Sequence, residues 1–373
     1  MTSDSDRDKE LSSIEEVASE LFATRNTQKT TVNVIFAFNG TGKTRLSRLI
    51  SESEDDNCLC FNAIFQDYFT WNNENCVLNI DKMSWVVEYI NEQGLQKQIV
   101  ENFQNFYSDI FIYPQFSSDS HEITFRAKLL EPDNETGDDY TEPIKVSKAE
   151  ETIFVWSVFY TILAGAFAEL QEIEDNRSTE IFNNLEYVVI DDPVSSIDDA
   201  AIIKISLAIY DLLKNFANNS KKPGIDILIT THHALFFNEI CNVIDRGDKN
   251  LKLKSYILSR TKEQKYLLTD NSRNVFGYHL FLRKKIEEAI KSNTLEKSHY
   301  NMFRVLLEKT KLYFGYRNFD ECMPEFRDRK EAIRLMNKLS HFSEFEYAEL
   351  TDREKEIFVE AFDKYTAKFR PEE

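Results

Sequence analysis

No set of His and Cys residues in this 373-residue chain has the spacing of a zinc site, which leaves structural zinc modules out of consideration. The five cysteines (Cys58, Cys60, Cys76, Cys241, Cys322) are scattered and odd in number, so a disulfide framework is excluded and a reduced, cytoplasmic chain is expected. No basic-plus-apolar leader opens the sequence, and no apolar run approaches the ~18 residues of a membrane span, so no membrane partner is expected. Net positive charge is also lacking. The formal charge of −19 argues against a general nucleic-acid binder. The deficit is uneven, however: from Leu251 to His341, 20 Lys and Arg face 11 Asp and Glu, a local +9 that leaves −28 for the remainder. This pattern describes an acidic body bearing one mildly basic module, which admits an RNA or DNA partner without identifying one.

What is present is the balance of a globular protein, 42% hydrophobic and 29% charged, long enough for two or three domains. The first thirty residues are polar and acidic, with one amphipathic helix expected on Leu11, Ile14, Val17 and Leu21. TVNVIFAF then reads as a buried strand ending in a Gly-rich turn, and TRLSRLI follows in helical phase. HEITFRAKLL and YTEPIKV read as strands around the turn-rich PDNETGDD. SKAEETIFVWSVFYTILAGAFAEL reads as a long buried helix, and LEYVVI and IDILIT as strands covered on both faces. Beyond residue 276 the pattern is purely helical, over 279–292, 296–314, 327–340 and 351–369, the last opening with a capping box of Thr351 and Glu354. The expected division is 1–30 as a polar helical segment, 31–262 as an α/β nucleotide-binding domain and 263–373 as an all-α domain.

AFNGTGKT, Ala37 to Thr44, matches a phosphate loop except for alanine in place of the first glycine. Within it, Asn39, Gly40 and Gly42 shape a turn whose N–H groups face phosphate oxygens. Lys43 neutralises the β/γ charge, and Thr44 can hold Mg²⁺ at the start of a helix whose dipole favours anions. YVVIDDP places Asp191 at the end of a buried strand, where it can orient Mg²⁺ with Thr44. Asp192 stands where many such ATPases carry a glutamate that polarises water. Aspartate is one methylene shorter, so hydrolysis is expected to be slow. SSID (Ser195–Asp198) follows, and TTHH ends the next strand with His232 within reach of a γ-phosphate.

In this order, with VSKAEE earlier, the motifs resemble the ATP-binding-cassette (ABC-type) P-loop ATPases. That resemblance implies Ser147 as the signature serine facing a second copy's phosphate loop, Asp198 in the D-loop, His232 as the switch histidine and Gln66 as a Q-loop candidate. ATP or GTP with Mg²⁺ would lie sandwiched in a homodimer or higher homo-oligomer. Ala149 replaces the signature glycine. Only 104 residues separate Lys43 from Ser147, with no sustained heptads, unlike ATPases of chromosome condensation and break repair.

The fine text narrows the match. AFNGTGKTRLSR, FQDYFTW, HEITF, SKAEETIFVWSVFYTIL, YVVIDDPVSSIDD, LITTHHALFFN, FGYHLFLRKKIEEAI and FRVLLEKTKLYFGY, in order, resemble the PrrC-type bacterial anticodon nucleases from about Thr31 to Ser343. Such enzymes cut a transfer RNA, chiefly the lysine acceptor, 5′ of the wobble base, leaving a 2′,3′-cyclic phosphate and a 5′-hydroxyl. The resemblance implies an all-α nuclease domain with Arg304, Glu308 and His341 as its catalytic set. It also implies a type I restriction–modification partner that holds the toxin latent until phage infection. The residue types suit metal-independent cleavage: a base for the 2′-hydroxyl, an acid for the leaving 5′-oxygen, and a guanidinium for the phosphorane oxyanions. Arg334 with His341 offers a competing Arg–His spacing. KEQKYLLTDNSRNVFGY lies where the family carries an anticodon-contact segment, so Asp270, Asn271, Ser272, Arg273 and Asn274 are expected to meet loop bases. Two other readings fit the same motifs: an ATPase toxin cutting another RNA, or a non-nuclease switch whose helical domain docks a partner or DNA.

Overall fold

A computed structural model describes residues 8–23, 29–54, 57–107, 111–129, 139–220, 224–244, 249–261, 263–271, 277–339 and 350–369. The chain forms two compact units, Met1–Val275 and Phe276–Glu373.

In the first unit, strand β1 (Asp8–Leu11) leads into helix α1 (Ile14–Phe22), which Ser13 caps by accepting from the Glu16 N–H. Its spaced apolar residues Ile14, Val17 and Leu21 are buried, as the period requires. Strand β2 (Thr30–Ala37) is buried along its whole length and runs into the phosphate loop and α2 (Lys43–Ser53). Then come β3 (Cys58–Phe61), the short α3 (Ala63–Asp67), β4 (Phe69–Asn72), β5 (Val77–Ile80), α4 (Trp85–Gln93), α5 (Gln96–Phe106), β6 (Ile112–Phe116) and β7 (Glu122–Ala127). The long α6 (Lys148–Gln171) precedes β8 (Tyr187–Asp191), α7 (Asp199–Asn219), β9 (Asp226–Thr231), α8 (Ala234–Ile244), β10 (Leu251–Arg260) and β11 (Tyr266–Asp270).

The main sheet has the order β1-β11-β10-β2-β9-β8-β3, with β10, β2, β9, β8 and β3 parallel and β11 and β1 antiparallel at one edge. Parallel neighbours buried on both faces explain the near-continuous apolar runs of β2, β8 and β9. A second sheet, β4-β5-β7-β6, is antiparallel. Helix α6 ties the two together. Its Trp156 and Phe159 meet Phe61 and Phe65 beside the first sheet, while Phe154 meets Phe103, Phe116 and Phe125 beside the second. Contrary to the expectation that no apolar run nears the length of a span, this helix is long and apolar enough to cross a membrane, but most of its apolar stretch is buried in the unit, where it serves as the core.

Three expectations need correcting. Residues 1–30 are no separate segment, because β1 pairs with β11 from Asp8↔Thr269 to Leu11↔Tyr266 and α1 packs on Leu258, Tyr266 and Leu268. The unit ends at Val275 rather than 262, because β11, expected in the helical domain, is paired on both sides in the main sheet. YTEPIKV adds no strand: Tyr140 makes an isolated bridge to Lys128, and Pro143 lacks the N–H that a ladder needs.

The second unit is helical: α9 (Gly277–Lys291), α10 (Lys297–Phe314), α11 (Arg329–Leu339) and α12 (Asp352–Lys368). Phe303 packs on Phe358, Phe362 and Tyr365, and the fully buried Tyr300 donates its hydroxyl to the Glu354 carbonyl at 2.7 Å. The Thr351–Glu354 capping box opens α12.

Candidate nucleotide and nuclease sites

The phosphate loop is built where β2 leaves the sheet. Ala37 is still in register with Leu258 and fully buried, so its position needs no positive φ and tolerates a methyl in the core. Gly42 differs. Its φ is +117°, and a Cβ there would lie 3.3 Å from the Tyr266 hydroxyl, so conformation and space both demand glycine. Lys43 opens α2 and is buried; its Nζ donates to the Ala37 carbonyl at 3.1 Å and to Asn39 Oδ1 at 3.2 Å, and lies 3.9 Å from Asp192 Oδ2. Burial pulls its pKa down, against the opposing pull of Asp192 and Asp191.

The two aspartates at the end of β8 have different surroundings. Asp191 is buried and accepts from Ser47 Oγ at 3.3 Å and from the Thr230 hydroxyl. With the Thr44 hydroxyl at the first turn of α2, it supplies hard oxygen donors of the kind Mg²⁺ takes, so these residues fit the ion. Asp192 sits at φ +54°, a left-handed conformation aspartate tolerates better than most residues. Its Oδ1 accepts from the Thr231 hydroxyl at 3.2 Å and from the His232 N–H at 3.4 Å, and its Oδ2 is hydrogen-bonded to His232 Nδ1. Burial pushes the Asp192 carboxyl up, but the His232 bond and charge and the Lys43 ammonium outweigh it, holding the group below the usual carboxylate range. Asp192 is thus held between Lys43 and His232.

Asn39, Lys43, Asp192 and His232 therefore form one bonded cluster, with Asp191 and Thr44 beside it. Gln66, Ser147 and Asp198 stand outside its bonds. Gln66 is exposed on the five-residue α3. Ser147 caps α6 in a full capping box with Glu150, and Asp198 caps α7 by accepting from the Ala201 N–H at 2.8 Å. Ser147 is exposed at the positive end of a 24-residue helix, a placement suited to an anion. Ser47, Thr230 and Thr231 were missed by sequence reasoning. Ser47 lies one helical turn beyond Lys43, and both threonines stand in the strand-end TTHH, so position alone could have marked them.

In the second unit, Arg304 and Glu308 share one face of α10, half-buried, with Nη2 and Oε1 4.0 Å apart. The Arg304 guanidinium also donates to Asn337 Oδ1 at 3.1 Å and lies 5.3 Å from the centroid of the Phe319 ring. Lys311 donates to Glu308 Oε2 at 3.1 Å. Two cations thus flank one carboxylate, and Asn337, which stands four residues before His341 in the chain, anchors the guanidinium to α11. His341 itself lies outside the described residues. Arg334, the competing arginine, is exposed on α11. Of the expected base-contacting tip, Asp270 closes β11, and Asn271 is buried with its N–H on the Ser255 carbonyl at 2.8 Å. Ser272, Arg273 and Asn274 lie outside the described residues. Asn337, Lys311 and Phe319 were also missed; only Lys311, one turn from Glu308, carried a spacing signal.

A family described as an AAA domain matches residues 169–365. Among solved structures, an SMC head bound to the C-winged helix domain of ScpA aligns with 66% of this chain and 91% of its own, at 10% identity and a TM-score of 0.33. The SMC head domain from Thermotoga maritima aligns with 66% of this chain and 96% of its own, at 12% identity and a TM-score of 0.28. An Escherichia coli protein named anticodon nuclease is 35% identical over 91% of this chain and 89% of its own length. By that relationship, which spans both units, the chain belongs to the anticodon nuclease family.

Proposed function

We propose that this protein is a nucleotide-gated endoribonuclease that cuts a transfer RNA in its anticodon loop. The observation that carries the reading is the α10 cluster, where a half-buried guanidinium and a carboxylate share one helical face and the guanidinium is tied to the helix that leads to His341. In the proposed reaction, Glu308 and His341 divide two tasks: removing the proton of the ribose 2′-hydroxyl and giving one to the departing 5′-oxygen. The 2′-oxygen attacks phosphorus as the P–O5′ bond breaks, leaving a 2′,3′-cyclic phosphate and a 5′-hydroxyl. Arg304 stabilises the phosphorane oxyanions through its planar donor fork. These three side chains supply every proton and charge the step needs, so the cleavage is metal-independent.

At the other site, the loop N–H groups and Lys43 would receive the phosphates of ATP or GTP, while Thr44 and Asp191 would hold Mg²⁺, which supplies charge neutralisation at the β/γ oxygens. His232, oriented by Asp192, would meet the γ-phosphate. Ser147 of a second copy would close the sandwich, making the working form a homodimer or higher homo-oligomer. The resemblance supports lysine transfer RNA as the target, a cytoplasmic location, a toxin's role in phage defence and a type I restriction–modification partner.

Two outcomes check this. Because Asp192 is short and already shared between Lys43 and His232, hydrolysis should be slow, below the ~10 per second of a typical enzyme. A purified-protein turnover number in the hundreds per second would contradict slow hydrolysis. Extracts of cells expressing the wild-type chain should contain transfer-RNA fragments with cyclic-phosphate ends, and His341→Ala extracts should lack them. Identical gels would overturn the nuclease assignment.

A further inference from the structure

At the C-terminal end of α10 an aromatic cluster reaches the surface. Phe314, its last residue, is 51% exposed. Gly315 at φ +69° ends the helix in the left-handed conformation, and the Tyr316 N–H folds back to the Lys311 carbonyl at 3.0 Å. That reversal lays the Tyr316 ring beside Phe314, with centroids 5.9 Å apart and 22° between planes. The end of α12 adds Phe369, 5.3 Å from Phe314 and 5.2 Å from Tyr365. A cation is interleaved: Lys368 Nζ lies 5.7 Å from the Tyr316 centroid and 5.1 Å from that of Phe369, held by donating to the Glu321 carbonyl at 3.2 Å.

We infer that Phe314, Tyr316 and Phe369, with Lys368 among them, form a stacking platform for unpaired bases of an RNA loop. The inference rests on the nuclease reading of Arg304 and Glu308 and extends it with a binding surface on the same helix. Flat π faces with adjacent cations are the chemistry that single-stranded bases and their phosphates take, largely without regard to sequence. The charge matches that occupant. Residues 309–317 contain Lys309, Lys311 and Arg317 and no acid, and residues 364–369 contain Lys364 and Lys368 and no acid, in a chain of net charge −19. Six residues on from Glu308, Phe314 lies about a third of a turn around α10 and a rise of about 9 Å along it. That is about the length of two or three stacked nucleotides. Bases held at the platform would present a nearby phosphodiester to Glu308.

The test is a fluorescence titration of the full-length protein with two probes. One is an RNA hairpin carrying 2-aminopurine in a seven-nucleotide unpaired loop; the other is a fully paired RNA duplex. Wild type is expected to quench the 2-aminopurine on binding. Phe314→Ala and Phe314→Leu are each expected to weaken hairpin binding about tenfold while duplex binding stays within twofold, and Phe314→Trp to keep both affinity and quenching. Leucine is the informative variant, since it keeps apolar packing and loses the π face. Hairpin binding by Phe314→Leu within twofold of wild type would overturn the platform, and so would an equal loss on hairpin and duplex. Cleavage assays of wild type and Arg304→Ala, run beside the titration, judge the nuclease reading separately: equal cutting would sink that reading, whereas the platform stands or falls on the hairpin titration.

Discussion

Arg304→Ala is expected to lower RNA cleavage by about 10²–10³-fold, the cost of removing one oxyanion donor from a pre-organised site, with little change in the unfolding midpoint. The side chain is fixed by Asn337 at 3.1 Å and by the Phe319 face, so its fork is aimed before substrate arrives. Lysine at the same position should recover only part of the loss, because a point charge cannot reproduce two parallel N–H donors. Arg334→Ala should leave cleavage within about twofold, since Arg334 is exposed on the polar side of α11. A loss confined to Arg334→Ala would transfer the catalytic role to the competing Arg–His pair.

Lys43→Ala should have the second large effect. Its ammonium is the one cation bonded inside the phosphate loop among the described residues, held there by Ala37, Asn39 and Asp192. Nucleotide must take over those bonds, and losing a charge-assisted donor of this kind should weaken nucleotide binding about a hundredfold, as read by titration calorimetry. Without Lys43 the half-buried Asp192 keeps His232 as its partner, so the fold should persist. RNA cleavage by this variant should no longer respond to added nucleotide. A variant that still binds nucleotide as wild type does would show that the loop holds phosphate through its backbone alone.

The two sites differ in how far the sequence disclosed them. The phosphate loop was legible because its chemistry is local: the end of a buried strand, two glycines with positive φ and a lysine opening a helix fall within the eight residues 37–44. The pairing of β1 with β11 was not, because it joins Asp8 to Thr269, and a short polar strand carries no signal of so distant a partner. For the same reason the sequence placed YLLTD in the helical domain, whereas it pairs with both β10 and β1 as β11. The Ser47–Asp191 and Arg304–Asn337 bonds likewise join residues far apart in the chain, so they become visible only when helices pack. By contrast, the helices of the second unit announced themselves through a 3.6-residue period and, for α12, through a capping box. Both signals are carried within a few turns of chain.

The proposed function has a helical surface carrying an arginine and a glutamate break one class of RNA bond under nucleotide control. The most direct measurement incubates the purified protein with total transfer RNA, with and without ATP or GTP, and maps every new 3′ end. Ends clustered in anticodon loops, bearing cyclic phosphate and changing in yield with nucleotide, are the predicted result. Ends scattered across the molecules, or a pattern unaltered by both nucleotide and Arg304→Ala, would contradict it.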